Sequence, residues 1–187
     1  MRRVLCSLLL LLLLNGKAAA VSPKTEGGKA RPNAAAVQKP VAASVGAILP
    51  LALDDAYEVE KVFSVLIDPT VTGRADVPWL KIEQDRRYYG AINDFERRQR
   101  DGHSYTVRWK AKAPLPGELT VRFEYRQQRL GSHVQALEVQ YSKVAGRYHT
   151  EFTVQGDDYH QDGPVTAWRV LLIDQGRIVG LQQSFLW

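Results

Sequence analysis

The chain has 187 residues, a formal net charge of +5, one cysteine and one methionine, and 45% of its residues are hydrophobic. The positive charge is concentrated at the start: residues 1–20 carry +3, residues 21–48 carry +3, and residues 49–187 therefore carry −1. A nearly neutral domain lacks the strongly basic surface that is typical of general nucleic-acid binding, so we expect no nucleic-acid partner.

Residues 1–20 have the pattern of a cleaved export signal. Arg2 and Arg3 precede an apolar run at residues 4–14, and the alanines at 18–20 fit the small-residue site of signal peptidase. The run is about half of the roughly 20 residues that a membrane-spanning helix needs. We predict cleavage after Ala20, a mature chain without a transmembrane span, and a periplasmic or secreted location in a bacterium. The single cysteine, Cys6, lies in this signal, so the mature chain would contain no thiol for a disulfide, a zinc thiolate or a nucleophile.

Residues 21–48 are rich in Ala, Pro, Lys and Gly and contain no aromatic residue. Pro23, Pro32 and Pro40 interrupt any helix, and the apolar side chains are too few to offset the entropy of ordering. We therefore predict a disordered, mildly cationic linker. An alternative interpretation is that its charge contacts anionic lipid or an envelope polymer.

The remaining segment, 49–187, has a usual length for one domain. Alternation of apolar and polar residues predicts half-buried strands at 57–67, 103–112, 118–126, 134–141 and 149–155. Residues 165–174 are apolar on both faces and predict a central strand, which a tight turn joins to a last strand at 177–187. Residues 79–89 predict a further strand with weaker alternation.

Two details of this pattern concern the core. In the strand at 57–67, alternate residues are expected to share the buried face: Tyr57, Val59, Phe63, Val65 and Ile67. Residues 90–102 do not alternate and predict a long loop or a single helical turn, in which Ile92 and Phe95 could face the core together.

Seven to eight short strands with frequent turn signals predict an all-β fold. The expected architecture is a single antiparallel β-sandwich, immunoglobulin-like or fibronectin-III-like, after the signal peptide and the linker. A small closed barrel is the structural alternative. At the end of the chain, Trp187 is expected to dock the last strand into the core.

A patch of arginine and aromatic residues is the candidate ligand-binding site: Trp79, Arg86, Arg87, Tyr88 and Tyr89. Guanidinium groups beside aromatic faces can stack on sugars or hold an anionic polymer. The alternative is that Trp79 or Tyr88 belongs to the core and that the arginines pair with nearby acids.

The polar segment at 157–162 contains the weak metal candidates Asp158, His160 and Asp162. Counted from Asp158, Asp162 fits position five of a calcium loop, but His160 stands at position three and Arg169 replaces the bidentate Glu at position twelve. We therefore expect a solvated inter-strand loop, with no bound metal and no other cofactor.

The motifs of serine hydrolases, phosphate-binding loops and dinucleotide-binding folds are absent from the sequence. The leading hypothesis is an exported, non-catalytic interaction or adaptor domain of the bacterial cell envelope or exterior. Its partner would be an envelope or secreted protein, bound through an exposed strand edge. The alternative is a glycan- or anionic-polymer-binding module, and a small metal-dependent enzyme is a weaker third hypothesis.

Overall fold

The computed structural model describes residues 39–46, 48–68, 78–112 and 117–187. The predicted signal peptide and most of the predicted linker lie outside these residues. The described strands are β1 (Val41–Ala43), β2 (Tyr57–Ile67), β3 (Gly102–Ala111), β4 (Glu118–Gln127), β5 (Gln135–Ser142), β6 (Gly146–Gln155), β7 (Val165–Asp174) and β8 (Arg177–Gln183). The described helices are α1 (Pro78–Tyr88), α2 (Asp94–Arg98) and α3 (Asp157–Asp162).

The strands form two antiparallel sheets. One has five strands in the order β1-β5-β4-β7-β8, and the other has three strands in the order β2-β3-β6. The predicted antiparallel all-β fold is therefore confirmed, and β7 is an inner strand, as its two apolar faces indicated. No strand of one sheet pairs with a strand of the other among the described residues, so they form two open sheets rather than a closed barrel.

The core lies between the two sheets. The rings of Tyr105 on β3 and Phe123 on β4 are 4.6 Å apart, and Phe123 stacks on Phe152 of β6 at 5.2 Å. Near the other end of the core, Trp109 Nε1 donates a hydrogen bond to Thr150 Oγ1 at 2.9 Å. Alternating apolar residues on each inner face produce this packing, and the buried Thr150 hydroxyl satisfies the indole donor.

The prediction of which β2 side chains face the core is wrong at the centre of the strand. The pairing with β3 shifts register between Val59 and Lys61, which is a β-bulge. A bulge adds one residue and so inverts the alternation of the residues that follow it. As a result Val62 packs against the core opposite Val107, whereas Phe63 is exposed.

The strand predicted at 79–89 is wrong, because these residues form α1. Pro78 suits the first position of a helix, and Lys81–Asp85 and Glu83–Arg87 are ion pairs between successive turns. The helix ends before Gly90, whose φ of +80° is a conformation that glycine adopts without strain. The ion pairs within α1 and the residues at its two ends therefore favour a helix more strongly than the weak alternation of apolar residues favours a strand.

The helical turn predicted within 90–102 is confirmed by α2, which begins after Asn93 with the Asn93 Oδ1 accepting a hydrogen bond from Glu96 N at 2.8 Å. The expected inward orientation of Ile92 and Phe95 is wrong: they are 88% and 69% exposed. The short helix α2 is held by polar contacts at its ends and not by burial of its apolar side chains.

Two further expectations are wrong. Residues 157–162 form the short helix α3 instead of a solvated loop, because Tyr159 is buried and its hydroxyl donates to Asp68 Oδ2 at 2.7 Å. Trp187 does not enter the core. The last strand, β8, ends at Gln183, and the centre of the Trp187 ring lies 4.5 Å from the guanidinium carbon of Arg126 and 4.6 Å from that of Arg169.

Candidate functional site

The structure divides the five residues of the predicted ligand-binding patch. Trp79, Arg86 and Tyr89 have exposed side chains, whereas Arg87 and Tyr88 are turned toward the protein. These two groups lie on different faces because successive residues of a helix point about 100° apart. The patch is therefore not one continuous surface of five side chains.

Arg87 joins α1 to the three-stranded sheet. Its guanidinium contacts Glu83 on the same helix at 3.4 Å and Glu151 on β6 at 3.3 Å. Glu151 also accepts a hydrogen bond from the Ser104 hydroxyl at 3.1 Å. Arg87 thus links α1 to β6. The alternative prediction paired the arginines with Asp85, Asp94, Glu96 and Asp101; of these pairs Arg97–Asp94 is present at 3.9 Å, whereas Arg86 and Arg87 pair with Glu83 and, for Arg87, also with Glu151.

Tyr88 belongs to a polar cluster beneath α1. Its hydroxyl donates to Asp101 Oδ1 at 2.5 Å, and His160 Nε2 on α3 lies 3.3 Å from Asp101 Oδ2. Burial, followed by the hydrogen bond to Asp101, raises the pKa of the Tyr88 hydroxyl above its ordinary value. His160 Nε2 is also 3.1 Å from the carbonyl oxygen of Arg98. Since both neighbours of Nε2 accept hydrogen bonds, this nitrogen carries a proton.

A cavity of about 560 Å³ adjoins this cluster, and its lining residues come from the helices and the residues beside them: Asp85, Tyr88, Asp94, Arg97, Arg98, Asp101 and His160. Three carboxylates and two guanidinium groups alternate around it, so it presents no uniform charge to a ligand. The polar atoms of Tyr88 and Asp101 are used in internal hydrogen bonds. Chemically, this arrangement fastens α1, α2 and α3 together beside the small sheet.

A half-buried histidine, His103, lies close to this cluster. His103 on β3 accepts a hydrogen bond from Val165 N through Nδ1 at 3.1 Å, and its ring contacts those of Tyr105 and Tyr159 edge-on. Burial lowers the pKa of His103 to about 4, so it is neutral near pH 7. It serves as an acceptor for the start of β7.

The three metal candidates do not converge. His160 turns toward Asp101, whereas Asp158 borders a different cavity together with Tyr125 and His133. Within the described ranges, no group of three His, Cys, Asp or Glu side chains is placed to hold a metal ion. Residues two apart on a helical turn point in nearly opposite directions, which separates His160 from Asp158 and Asp162.

Strand edges are a second kind of candidate site, and those of the five-stranded sheet are partly covered. β1 pairs with residues 136–138 of β5, although it lies within the segment predicted as a linker. At the opposite edge, Ala52 N donates to the Ile178 carbonyl at 2.9 Å and Asp54 N donates to that of Val179 at 3.0 Å. Residues 52–54 thus cover the outer strand β8, and the opposite edge is formed by β1, which has only three residues.

The two edges of the three-stranded sheet differ from each other. β2 is interrupted by its bulge, whereas β6 pairs with β3 at every position from Gly146 to Gln155 without a shift. Apart from this ladder, residues 146–155 make no backbone–backbone hydrogen bond with any other described residue. The side chains of Arg147, His149 and Glu151 on this strand are exposed. β6 is therefore a long, regular and open edge.

Sequence reasoning predicted β6 as a strand but not as an edge. Alternation of residues 149–155 shows which face is buried, and it carries no information about the neighbouring strands. The position of β6 follows from its pairing with β3, some forty residues earlier in the chain. The nearest local signal is the absence of proline and lysine in 146–155, residues with which edge strands are commonly protected.

Comparisons with known proteins add no relative: no protein-family model, no curated protein and no solved structure matches the chain. In the part of the chain that the structure describes, no helix has the length and apolar character needed to cross a membrane.

Proposed function

We propose that this chain is an exported, non-catalytic interaction domain of the bacterial cell envelope or exterior, and that it binds an extended segment of a partner protein beside β6. The observation that carries the proposal is the long edge of β6, which no bulge interrupts and to which no further described segment is hydrogen-bonded through its backbone. The export pattern of residues 1–20 supports the location, and the absence of catalytic motifs from the sequence supports a binding role.

An open edge is a specific binding surface. Its outward N–H and C=O groups can pair with an added strand, which supplies affinity through the main chain and specificity through alternate side chains. Proteins usually protect such edges with bulges, charges or covering segments, because unprotected edges also promote aggregation. Here β1 is very short, β8 is covered by residues 52–54 and β2 contains a bulge, whereas β6 is long and regular and carries only the charged side chains of Arg147 and Glu151.

The added strand would lie opposite the β1 side of the facing sheet. β6 lies opposite β5, as the 2.7 Å contact between the hydroxyls of Tyr141 and Thr150 shows, and β1 lies one strand further out. A cavity of about 510 Å³ borders β1 and β5, with Ala42, Leu137 and Tyr125 in its lining. An extended peptide beside β6 would widen the small sheet on the side that faces β1.

Photo-crosslinking in the exporting cells tests the proposal. A photoreactive residue replaces His149 on β6 in one variant and Phe63 on β2 in a matched control; both positions are exposed and lie on edge strands of the same sheet. We expect the His149 variant to crosslink to one defined protein and the Phe63 variant not to do so. The purified partner segment should then slow hydrogen exchange of β6 amides.

Two results would contradict strand addition at β6. One is equal crosslinking from both edges, and the other is a partner that binds without protecting the β6 amides. The variant H149K/T153K places lysines along the edge and should weaken binding at least tenfold, while the control F63K leaves binding unchanged.

The finer fold assignment remains part of this proposal. Two packed antiparallel sheets with eight strands support an immunoglobulin-like or fibronectin-III-like relationship. The sheets contain five and three strands, whereas an immunoglobulin constant domain has four and three. The glycan- or anionic-polymer-binding alternative stays a prediction that depends on the exposed side chains of Trp79, Arg86 and Tyr89.

A further inference from the structure

The outer face of α1 carries an apolar stripe. Trp79, Ile82, Arg86 and Tyr89 follow one another at spacings of three, four and three residues, which places them on one side of the helix and its immediate end. Trp79 is 59% exposed, Ile82 67% and Tyr89 85%. The polar contacts of Arg87 and Tyr88 face the protein, whereas the apolar side chains of the stripe face solvent together with Lys81, Asp85 and Arg86.

The exposed apolar surface continues beyond α1. Ile92 and Phe95, in the next turn and in α2, are also exposed, so five large apolar side chains are solvent-accessible within 17 residues. Single exposed apolar residues are ordinary, whereas a set concentrated in one segment indicates an interaction surface.

The composition of the stripe favours lipid over sugar. Trp79 and Tyr89 stand at its two ends, and such amphipathic rings prefer the boundary between headgroups and acyl chains. Ile82 lies between them, and an aliphatic side chain gains from contact with acyl chains but has no ring to stack on a sugar. Arg86 within the stripe and Lys81 beside it pair with Glu83 and Asp85, yet their side chains are exposed and can extend their charged ends toward headgroups.

The charges beside the stripe and in residues 21–48 support binding to an anionic surface. Acids beside the stripe are paired: Asp85 lies 3.1 Å from Lys81, and Glu83 lies 3.6 Å from Arg86. Residues 21–48 add a charge of +3 from Lys24, Lys29, Arg31 and Lys39 against Glu26. A basic segment in the same chain adds electrostatic attraction to anionic lipid.

From these observations we propose that α1 docks on an anionic membrane surface, with Trp79, Ile82 and Tyr89 inserted among the headgroups. The domain would lie on the membrane without spanning it, and the cationic segment 21–48 would strengthen the attraction. The membrane-facing surface is distinct from the β6 edge, so a bound domain could still receive a partner strand.

Binding to vesicles tests this proposal with protein purified from the exporting cells, so that its processing is intact. Vesicles of phosphatidylglycerol and phosphatidylethanolamine are compared with vesicles of phosphatidylcholine by co-sedimentation. We expect binding to the anionic vesicles and a blue shift in tryptophan fluorescence that the W79F variant lacks. Replacing Lys24, Lys29, Arg31 and Lys39 with Gln should reduce binding and its dependence on salt.

Substitutions distinguish vesicle binding through the stripe from non-specific binding by other exposed apolar residues. The variant W79A/I82S/Y89A should lose at least tenfold in partition onto anionic vesicles, because each inserted apolar side chain contributes to binding. The control F185A/L186S removes two apolar side chains that are equally exposed elsewhere and should bind like the unmodified protein. Circular dichroism confirms that each variant is folded.

Three results would overturn membrane docking by α1. These are no binding to anionic vesicles, equal loss in the stripe variant and the control, and binding of the stripe to envelope polysaccharide but not to vesicles. None of them affects crosslinking at His149, so failure of this proposal and failure of strand addition at β6 can be told apart.

Discussion

The hydroxyl of Tyr88 donates to Oδ1 of Asp101 at 2.5 Å, and this bond fastens the end of α1 to the residue that precedes β3. Asp101 is buried, so its carboxylate depends on internal donors instead of water. Tyr88, which its sequence context assigned to a ligand-binding patch, thus holds the end of α1 to the rest of the protein.

Replacing Tyr88 with Phe should lower the free energy of unfolding by about 1–3 kcal/mol, because a buried carboxylate loses a donor. Urea unfolding measures this change. The matched substitution Tyr89→Phe alters an exposed ring and should change stability by less than about 0.5 kcal/mol. Equal effects of the two substitutions would show that the Tyr88–Asp101 bond does not stabilise the fold.

Removing the ring of Trp187 should have a modest effect. Its two contacts are cation–π interactions with Arg126 and Arg169, each worth about 0.5–1 kcal/mol at exposed sites. Trp187→Ala should therefore cost about 1–2 kcal/mol, whereas Trp109→Ala, in the core, should cost about 3–5 kcal/mol. Thermal or urea unfolding compares them, and a larger loss for Trp187 would place it among the core residues after all.

Stability should fall as the pH drops from about 6.5 toward 4. Burial lowers the pKa of His103 to about 4, whereas an unfolded chain titrates its histidines near pH 6.5. Between these values the unfolded chain binds the additional proton, so acid favours unfolding, by at most about 3 kcal/mol. The measurement is urea unfolding at several pH values in this window.

The contribution of His103 can be isolated by substitution. His103→Gln should flatten the dependence of stability on pH between 6.5 and 4, while His133→Gln, at an exposed position, should leave it unchanged. An unaltered slope in the His103 variant would assign the pH dependence to other groups.

Gly102 should tolerate no side chain. Its φ is +147°, and a Cβ atom would come within 2.2 Å of the Val154 carbonyl oxygen on β6. Gly102→Ala should therefore cost about 2–4 kcal/mol by strain and by displacement of β6. In the control Gly131→Ala, φ is also positive but no atom lies within 4 Å, so the loss should be about 1 kcal/mol. Unfolding by urea distinguishes them, and equal losses would mean that the clash with β6 is relieved without cost.

The pattern of apolar residues along the chain predicted where several strands begin and end. Residues 57–67 and 165–174 were predicted with the bounds of β2 and β7. The same rule failed at Phe63, because a bulge depends on how β2 pairs with β3, and it failed at residues 79–89, where ion pairs one turn apart favour a helix. The apolar periodicity of one segment shows neither how that segment pairs with another strand nor which of its charged residues form ion pairs.

The candidate sites were less accessible to sequence reasoning. Trp79, Arg86 and Tyr89 were recognised, but Arg87 and Tyr88 could not be separated from them without knowing which side of α1 faces the sheet. Asp101 and His160 lie 59 residues apart in the chain and meet only because α3 packs beside β3.

The sequence by itself determined the export pattern, the cationic first segment, the lack of cysteine after residue 6 and the antiparallel strand content, since these follow from composition and from spacing along a few residues. Only the tertiary structure decided which strand is an open edge, which face of α1 meets solvent and which polar groups are buried together. These properties depend on contacts between residues far apart in the chain, and such contacts leave no local periodic signal.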